Sequence, residues 1–155
     1  MIDLSDLLVP DGVAIGLTAA TKKTLFTQIG GLAGPLLGLN PREVAEALLA
    51  REKAGSTGFG GGVAIPHARI EGLDRIAVLV VRLAQRLDFG APDDVGVDVV
   101  AAILSPPQAG AAHLKALARV ARRFRDRRFV EKLRGAGSPD AVYALLTTDE
   151  TRDAA

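Results

Sequence analysis

The sequence predicts an α/β protein in which a central mixed β-sheet is sandwiched by helices. Residues 76–83 and 97–104 form two nearly continuous apolar runs, which are typical of strands covered on both faces. Segments with helical spacing of apolar residues lie before and after these runs, and this alternation favours a layered α/β architecture. The short connection over residues 88–97 allows antiparallel pairing, so we expect a mixed sheet rather than a purely parallel one.

One strand and one glycine-containing helix are expected near the N-terminus. Residues 4–8 predict a turn or short helix, and residues 13–17 predict the first strand. Leu and Ile recur at helical spacing over residues 21–37, which predicts a helix. Three glycines weaken it, each by up to about 1 kcal/mol relative to Ala; they are Gly30, Gly31 and Gly34.

A second helix is expected from residue 41 to residue 53. It has a strong start signal, because Asn40 can cap the free N–H groups and Pro41 suits the first helical position. Residues 63–65, after a glycine-rich loop, predict a short strand. Three helices are predicted beyond the last apolar run, over residues 111–125, 128–134 and 138–146.

The 155 residues fit a single domain, which we place at residues 1–147 with a flexible tail at 148–155. No internal repeat or long linker divides the chain. The formal net charge of +1 gives no argument for nucleic acid, and the apolar runs are too short to insert in a membrane as helices. The absence of Cys excludes thiolate metal sites and thiol nucleophiles. With acidic residues where a secretory signal carries lysines, the expected location is cytoplasmic.

The segment from residue 51 to residue 67 is the most informative part of the chain. It contains Arg51, the hydroxyl residues Ser56 and Thr57, and a glycine-rich loop that begins at Gly58. Val at position 63 rules out both the dinucleotide fingerprint and the P-loop. Open backbone N–H groups and hydroxyls suit a phosphate, but an ordinary loop between a helix and a strand explains the glycines equally well.

His67 closes this segment and is a candidate nucleophile. It follows a proline, which stiffens the backbone, and neutral imidazole attacks phosphorus. A surface or capping histidine is the alternative. His113 is the only other histidine, and at a helix start it is placed either to donate to a phosphoryl group or to face solvent. Carboxylates do not cluster near His67, so a metal site is not expected.

A basic face runs along the helix predicted at residues 111–125. Lys115, Arg119 and Arg122 share one side of this helix. Such a face is either simply solvated or docks an acidic partner surface. Nucleic acid is the weaker interpretation, because aromatic residues are not interleaved with the basic ones.

These motifs together resemble the phosphotransferase-system enzyme IIA family of the fructose, mannitol and nitrogen type. The resemblance rests on the segment from Arg51 to His67 and on the block that begins at His113, and it extends over residues 2–146. It implies the mannitol-type IIA phosphotransferase fold, which requires neither cofactor nor metal. Ala68 and Gly61 depart from the family's usual Gly and Asn and alter loop shape more than chemistry.

The resemblance implies a role for each motif residue. His67 would accept a phosphoryl group from a small histidine phosphocarrier protein, with His113 orienting that group and Arg51 neutralising it. The backbone and hydroxyls of residues 56–58 would bind phosphate, and a basic surface would contact partners. Its members are Arg69, Lys115 and Arg119.

The chain resembles the nitrogen-regulatory branch of the family most. The protein would then be a phosphotransferase component with a phosphohistidine intermediate, whose phosphorylation state controls regulatory target proteins, rather than a stand-alone metabolic enzyme. Two alternatives remain open at this stage. One is a fructose- or mannitol-type component that relays phosphate to a IIB domain, and the other is a binding module that acts without phosphorylation.

Overall fold

The computed structural model describes residues 4–148, which form six strands and five helices. The strands are β1 (Leu8–Leu17), β2 (Gly58–Gly60), β3 (Val63–Ala64), β4 (His67–Arg69), β5 (Ala77–Leu87) and β6 (Val97–Ser105). The helices are α1 (Lys22–Leu37), α2 (Pro41–Ala54), α3 (Ala111–Phe124), α4 (Arg127–Gly135) and α5 (Pro139–Leu146).

The strands form one mixed sheet in the order β1-β5-β6-β3-β2, with β4 also paired to β6. The central pair β5 and β6 is antiparallel, whereas β1 runs parallel to β5 and both β3 and β4 run parallel to β6. This confirms the mixed sheet predicted from the sequence. The short connection between β5 and β6 permits their antiparallel pairing, as expected.

Helices cover both faces of the sheet. Along β5, Leu79 and Val81 point to one face and pack with α1 and α2, whereas Val78 and Val80 point to the other and pack with the remaining helices. Successive residues of a strand face opposite sides, so a strand buried on both faces must be apolar throughout. The predicted helical sandwich is confirmed.

Several element bounds differ from the sequence prediction. The N-terminal turn occupies only residues 5–7, and β1 begins at Leu8 rather than at residue 13. The three-residue strands β2 and β4 were not predicted, because such short segments show no periodicity of their own. The predicted tail at 148–155 lies outside the described residues except for Thr148, whose hydroxyl donates to the Ala144 carbonyl at 2.6 Å.

Glycines in α1 let this helix approach α2 closely. A Cβ on Gly30 would lie 2.3 Å from the Pro41 carbonyl oxygen, and one on Gly34 would lie 2.7 Å from the Pro41 ring. The adjacent Gly31 is exposed and a Cβ there would meet nothing within 4 Å. The sequence showed only the helical cost of these glycines, whereas two of them serve helix packing.

We predict opposite stability effects for Gly30→Ala and Gly31→Ala. Gly30→Ala should lower the free energy of unfolding by about 1–3 kcal/mol, because backbone must move to admit the methyl group. Gly31→Ala should raise it by up to about 1 kcal/mol through helix propensity. Urea denaturation of both variants measures the difference. Equal destabilisation by the two would contradict close packing at Gly30.

Candidate functional site

His67 lies at the start of β4, paired with Ile103 of β6, and its side chain is half-buried. Its Nδ1 atom is 2.9 Å from the Ile65 carbonyl oxygen. A carbonyl oxygen can only accept a hydrogen bond, so in this contact Nδ1 carries the proton and donates it. In the neutral ring the lone pair is therefore on Nε2.

His113 is the third residue of α3 and lies against His67. The two ring centroids are 5.6 Å apart with the planes inclined by 52°, and His113 is only 6% exposed. The structure therefore brings together the two histidines, which are 46 positions apart in the chain (113 minus 67). A solvent-facing position for His113, the alternative from the sequence, does not occur.

Ser105 holds His113 in place. This serine ends β6, is fully buried, and its hydroxyl lies 2.7 Å from His113 Nδ1. Ser105 was not among the residues predicted from the sequence. The only signal was a polar residue directly after a long apolar run, at the end of the sheet where His67 also lies.

The environment of His113 keeps its imidazole neutral. Burial lowers the pKa of His113 below 6.5, and the nearby positive charge of Arg69 and the neighbouring His67 lower it further. At pH 7 the ring is thus uncharged and has one N–H to donate.

Arg51 and the loop after it flank the same end of the sheet. The half-buried Arg51 side chain donates from Nη1 to the Gly55 carbonyl oxygen at 2.8 Å. The backbone N–H of Ile65 donates to the Thr57 carbonyl at 3.0 Å, so this loop runs beside the residues that lead into His67. Arg51 lies in the last turn of α2, and its contact with the Gly55 carbonyl holds its side chain at the end of that helix.

The hydroxyls of Ser56 and Thr57 have protein acceptors in this structure. Ser56 donates to the Phe89 carbonyl at 2.5 Å and accepts from the Gly58 N–H at 3.0 Å. Thr57 is buried and donates to the Glu52 carboxylate. A hydroxyl has one proton, so neither side chain can donate to a phosphate without giving up its present partner.

Glu52 organises this loop and was not identified from the sequence. It is buried within α2 and accepts from the Thr57 backbone N–H at 2.9 Å as well as from the Thr57 hydroxyl. Lys22 forms a 2.9 Å ion pair with it and donates to the Phe89 carbonyl at 2.8 Å. A buried carboxylate requires such partners, because an unpaired buried charge is strongly destabilising.

The glycine-rich segment is divided between two ends of the sheet. Strand β2 runs antiparallel to β3, so residues 55–57 lie towards His67 and the Gly61-Gly62 turn lies away from it. Val63 pairs with Val99, whereas His67 pairs with Ile103. Four residues along β6 separate these two positions by about 13 Å.

The three predicted partner-binding residues differ in their surroundings. Arg69 is the exposed last residue of β4, and Lys115 is exposed on α3. Arg119 makes a bidentate pair with Asp6 of the N-terminal turn, with distances of 2.7 and 2.9 Å. Arg119 thus fixes the N-terminal turn to α3 in addition to contributing charge.

Within residues 4–148 no group of three His, Asp or Glu side chains is arranged to hold a metal ion. Nor does this part of the chain contain a helix of sufficient length and apolarity to cross a membrane.

Comparison with known proteins identifies the class to which this fold and histidine pair belong. The family model described as "Phosphoenolpyruvate-dependent sugar phosphotransferase system, EIIA 2" matches residues 6–149. The chain belongs to this family.

Individual relatives point to one branch of the family. The chain is 42% identical over 143 residues to a protein of Bradyrhizobium diazoefficiens named "Nitrogen regulatory protein", covering 92% of this chain and 94% of the relative. The solved structure of nitrogen regulatory protein IIA-Ntr from Neisseria meningitidis has a TM-score of 0.86 at 34% identity, covering 93% and 99% of the two chains. IIA mannitol from Escherichia coli has a TM-score of 0.72 at 25% identity, covering 88% and 96%.

We predict that Arg69→Ala raises the pKa of His113. The substitution removes a positive charge that disfavours the imidazolium form, while burial of His113 persists. Ring-proton chemical shifts followed by NMR from pH 4.5 to pH 8.5, a range about two pH units either side of the ordinary value, measure the change. Arg75→Ala, at another exposed arginine, is the matched control and should leave the His113 titration unchanged. An unchanged pKa in Arg69→Ala would show that Arg69 does not act on His113.

Proposed function

We propose that the protein is a cytoplasmic phosphocarrier in which His67 accepts a phosphoryl group from a small histidine phosphocarrier protein. Its phosphorylation state would then control its binding to regulatory target proteins. The observation that carries this proposal is the hydrogen bond from His67 Nδ1 to the Ile65 carbonyl, beside the His113 ring. It leaves the Nε2 lone pair of His67 as the nucleophile.

The proposed transfer needs no other reagent. The Nε2 lone pair of His67 attacks phosphorus, the new N–P bond forms, and the N–P bond to the donor histidine breaks, returning its electron pair to that donor. His67 keeps the proton on Nδ1, so its ring gains positive charge during the step. The Ile65 carbonyl then accepts a stronger hydrogen bond, which stabilises the transition state more than the ground state.

Three groups are proposed to act on the transferring phosphoryl oxygens. If the Ser105 hydroxyl donates to His113 Nδ1, the neutral His113 ring carries its proton on Nε2 and can donate it to the phosphoryl group. Arg51 would supply positive charge after releasing the Gly55 carbonyl. The backbone at Gly58 and the hydroxyls of the loop would contribute only if the loop rearranged.

The regulatory part of the proposal is supported by the names of the relatives. A phosphoryl group adds substantial negative charge at an exposed edge that otherwise displays Arg69 and Lys115. A target that reads this edge would discriminate the two states by charge, without refolding of the domain. The expected partners are therefore the phosphoryl donor and proteins that bind one state in preference to the other.

We predict that the protein gains the mass of one phosphoryl group when incubated with phosphoenolpyruvate and the general carrier proteins. Intact mass spectrometry measures the gain, and peptide mapping under non-acidic conditions should place it on His67. His67→Ala should abolish it. A gain that persists in His67→Ala would refute the proposal, as would no gain at all in wild-type protein.

The effect of phosphorylation on onward transfer and on partner binding is measured separately. Transfer of the phosphoryl group onward to a IIB domain would instead indicate a sugar-relay component. Partner binding that is identical for wild-type protein, His67→Ala and His67→Asp would indicate a binding module that does not depend on phosphorylation.

We predict graded kinetic losses in Arg51→Ala, His113→Ala and Ser105→Ala. Arg51→Ala and His113→Ala each remove one stabilising group and should slow transfer by about 100-fold, with unchanged folding by circular dichroism. Ser105→Ala should slow it by about tenfold, the value of one hydrogen bond, because it frees His113 to adopt either tautomer. Single-turnover phosphorylation rates measure all three.

A matched variant tests whether Ser105 acts through its hydroxyl. Ser105→Thr retains the hydroxyl and should restore most of the rate lost in Ser105→Ala. If Ser105→Ala were as fast as wild-type protein, Ser105 would have no role in orienting His113. A loss in His113→Ala equal to that in His67→Ala would contradict the assignment of His67 alone as the phosphoryl acceptor.

A further inference from the structure

A cleft lies at the opposite end of the sheet from the histidines. It has a volume of about 740 Å³ and is walled by the turn at Gly60-Gly61, by the end of β5 and by the junction of α3 with α4. This is where the Gly61-Gly62 turn and the basic residues after α3 meet. The phosphotransfer site uses neither of them.

We propose that this cleft binds a nucleoside polyphosphate, with the phosphates on its arginines and the base against Phe59. The proposal does not depend on phosphorylation of His67, because the cleft shares no residue with the phosphotransfer site.

The charges in the cleft favour an anion. Arg86, Arg125 and Arg127 line it, are exposed, and form no salt bridge within residues 4–148. Of the two carboxylates of the lining, Glu131 pairs with Arg134, whereas Asp93 accepts from the Gly61 and Val95 N–H groups and is also stabilised by the positive charge of Arg127. The four arginines of the lining outnumber its two carboxylates, and this excess of guanidinium groups suits a ligand with several phosphate oxygens.

The fourth arginine of the cleft is part of its wall. Arg134 contacts both oxygens of Asp98 at 2.9–3.1 Å and donates to the Gly61 carbonyl at 2.8 Å. It therefore anchors the glycine turn to α4 and to β6. The wall is held by these contacts before any ligand arrives, so binding need not order the turn.

Phe59 provides the aromatic surface of the cleft. Its ring lies on the short edge strand β2, is half-buried, and has the Arg125 guanidinium carbon 5.8 Å from its centroid. A phenyl ring next to a guanidinium group is a platform on which a nucleobase can stack. A phosphate ion alone would use neither this ring nor most of the cavity, whose volume is within the range of small-molecule sites.

Titration of ¹⁵N-labelled protein with ATP, in the presence of EDTA, tests the proposal by NMR. Saturable shift changes are expected at residues 59–61, 86 and 125–127. Arg127→Ala should weaken ATP binding at least tenfold. Arg42→Ala is the matched control, since Arg42 is also exposed in the first turn of a helix, and it should bind as wild-type protein does.

Two further variants test the role of the Phe59 ring and the independence of the cleft from His67. Phe59→Leu should weaken ATP binding but leave inorganic tripolyphosphate binding unchanged, and thermal melting checks that this variant remains folded. His67→Ala should bind ATP normally, which separates failure of this proposal from failure of the phosphotransfer proposal. The proposal is wrong if no saturable shift occurs, if Arg42→Ala weakens binding as much as Arg127→Ala, or if tripolyphosphate binds wild-type protein as tightly as ATP.

Discussion

The pairing of β6 with its neighbours is the constraint on which the site depends. On one side of His67 the Ile103 N–H donates to the Pro66 carbonyl at 2.9 Å, and beyond it the Ile70 N–H donates to the Ser105 carbonyl at 2.8 Å. These main-chain bonds fix the His67 backbone relative to Ser105, whose side chain in turn contacts His113. Two distant segments therefore meet because one is paired in register with β6 and the other is held by the hydroxyl at the end of β6. A register slip of a single residue would reverse the direction of the side chains.

A buried carboxylate has a comparable role for the loop before His67. Glu52 accepts hydrogen bonds from Lys22 and from the backbone and hydroxyl of Thr57. Lys22 also donates to the Phe89 carbonyl and so connects this network to the segment after β5. The hydroxyl that the motif offered as a phosphate ligand is thereby a structural group in this state. The Ser56 hydroxyl is likewise bound within the protein, to the Phe89 carbonyl. A fixed network of this kind supplies a preorganised site at the cost of desolvating a charge.

The sequence predicted what is periodic or carried by a local motif, and missed what depends on tertiary contact. The long helices and β5 and β6 followed from apolar spacing, and His67 and His113 from a family motif. Strand β4 was not predicted because three residues are too few to show a periodic apolar pattern. It is a strand only because it pairs with β6. Ser105 and Glu52 were not predicted for a related reason. A serine at the end of a strand and a glutamate in a helix are common, and only their contacts in the folded protein reveal their roles.

The antiparallel turn between β2 and β3 has a consequence for how the two ends of the molecule communicate. The positions of Val63, next to this turn, and of His67 are about 13 Å apart along β6, which exceeds the Debye length of about 8 Å at physiological salt. A charge added at His67 would therefore be largely screened by salt at the Gly61-Gly62 turn. Helix α3 extends from His113 at one end to Phe124, which lines the cleft, at the other, so it is a direct mechanical connection between the two sites.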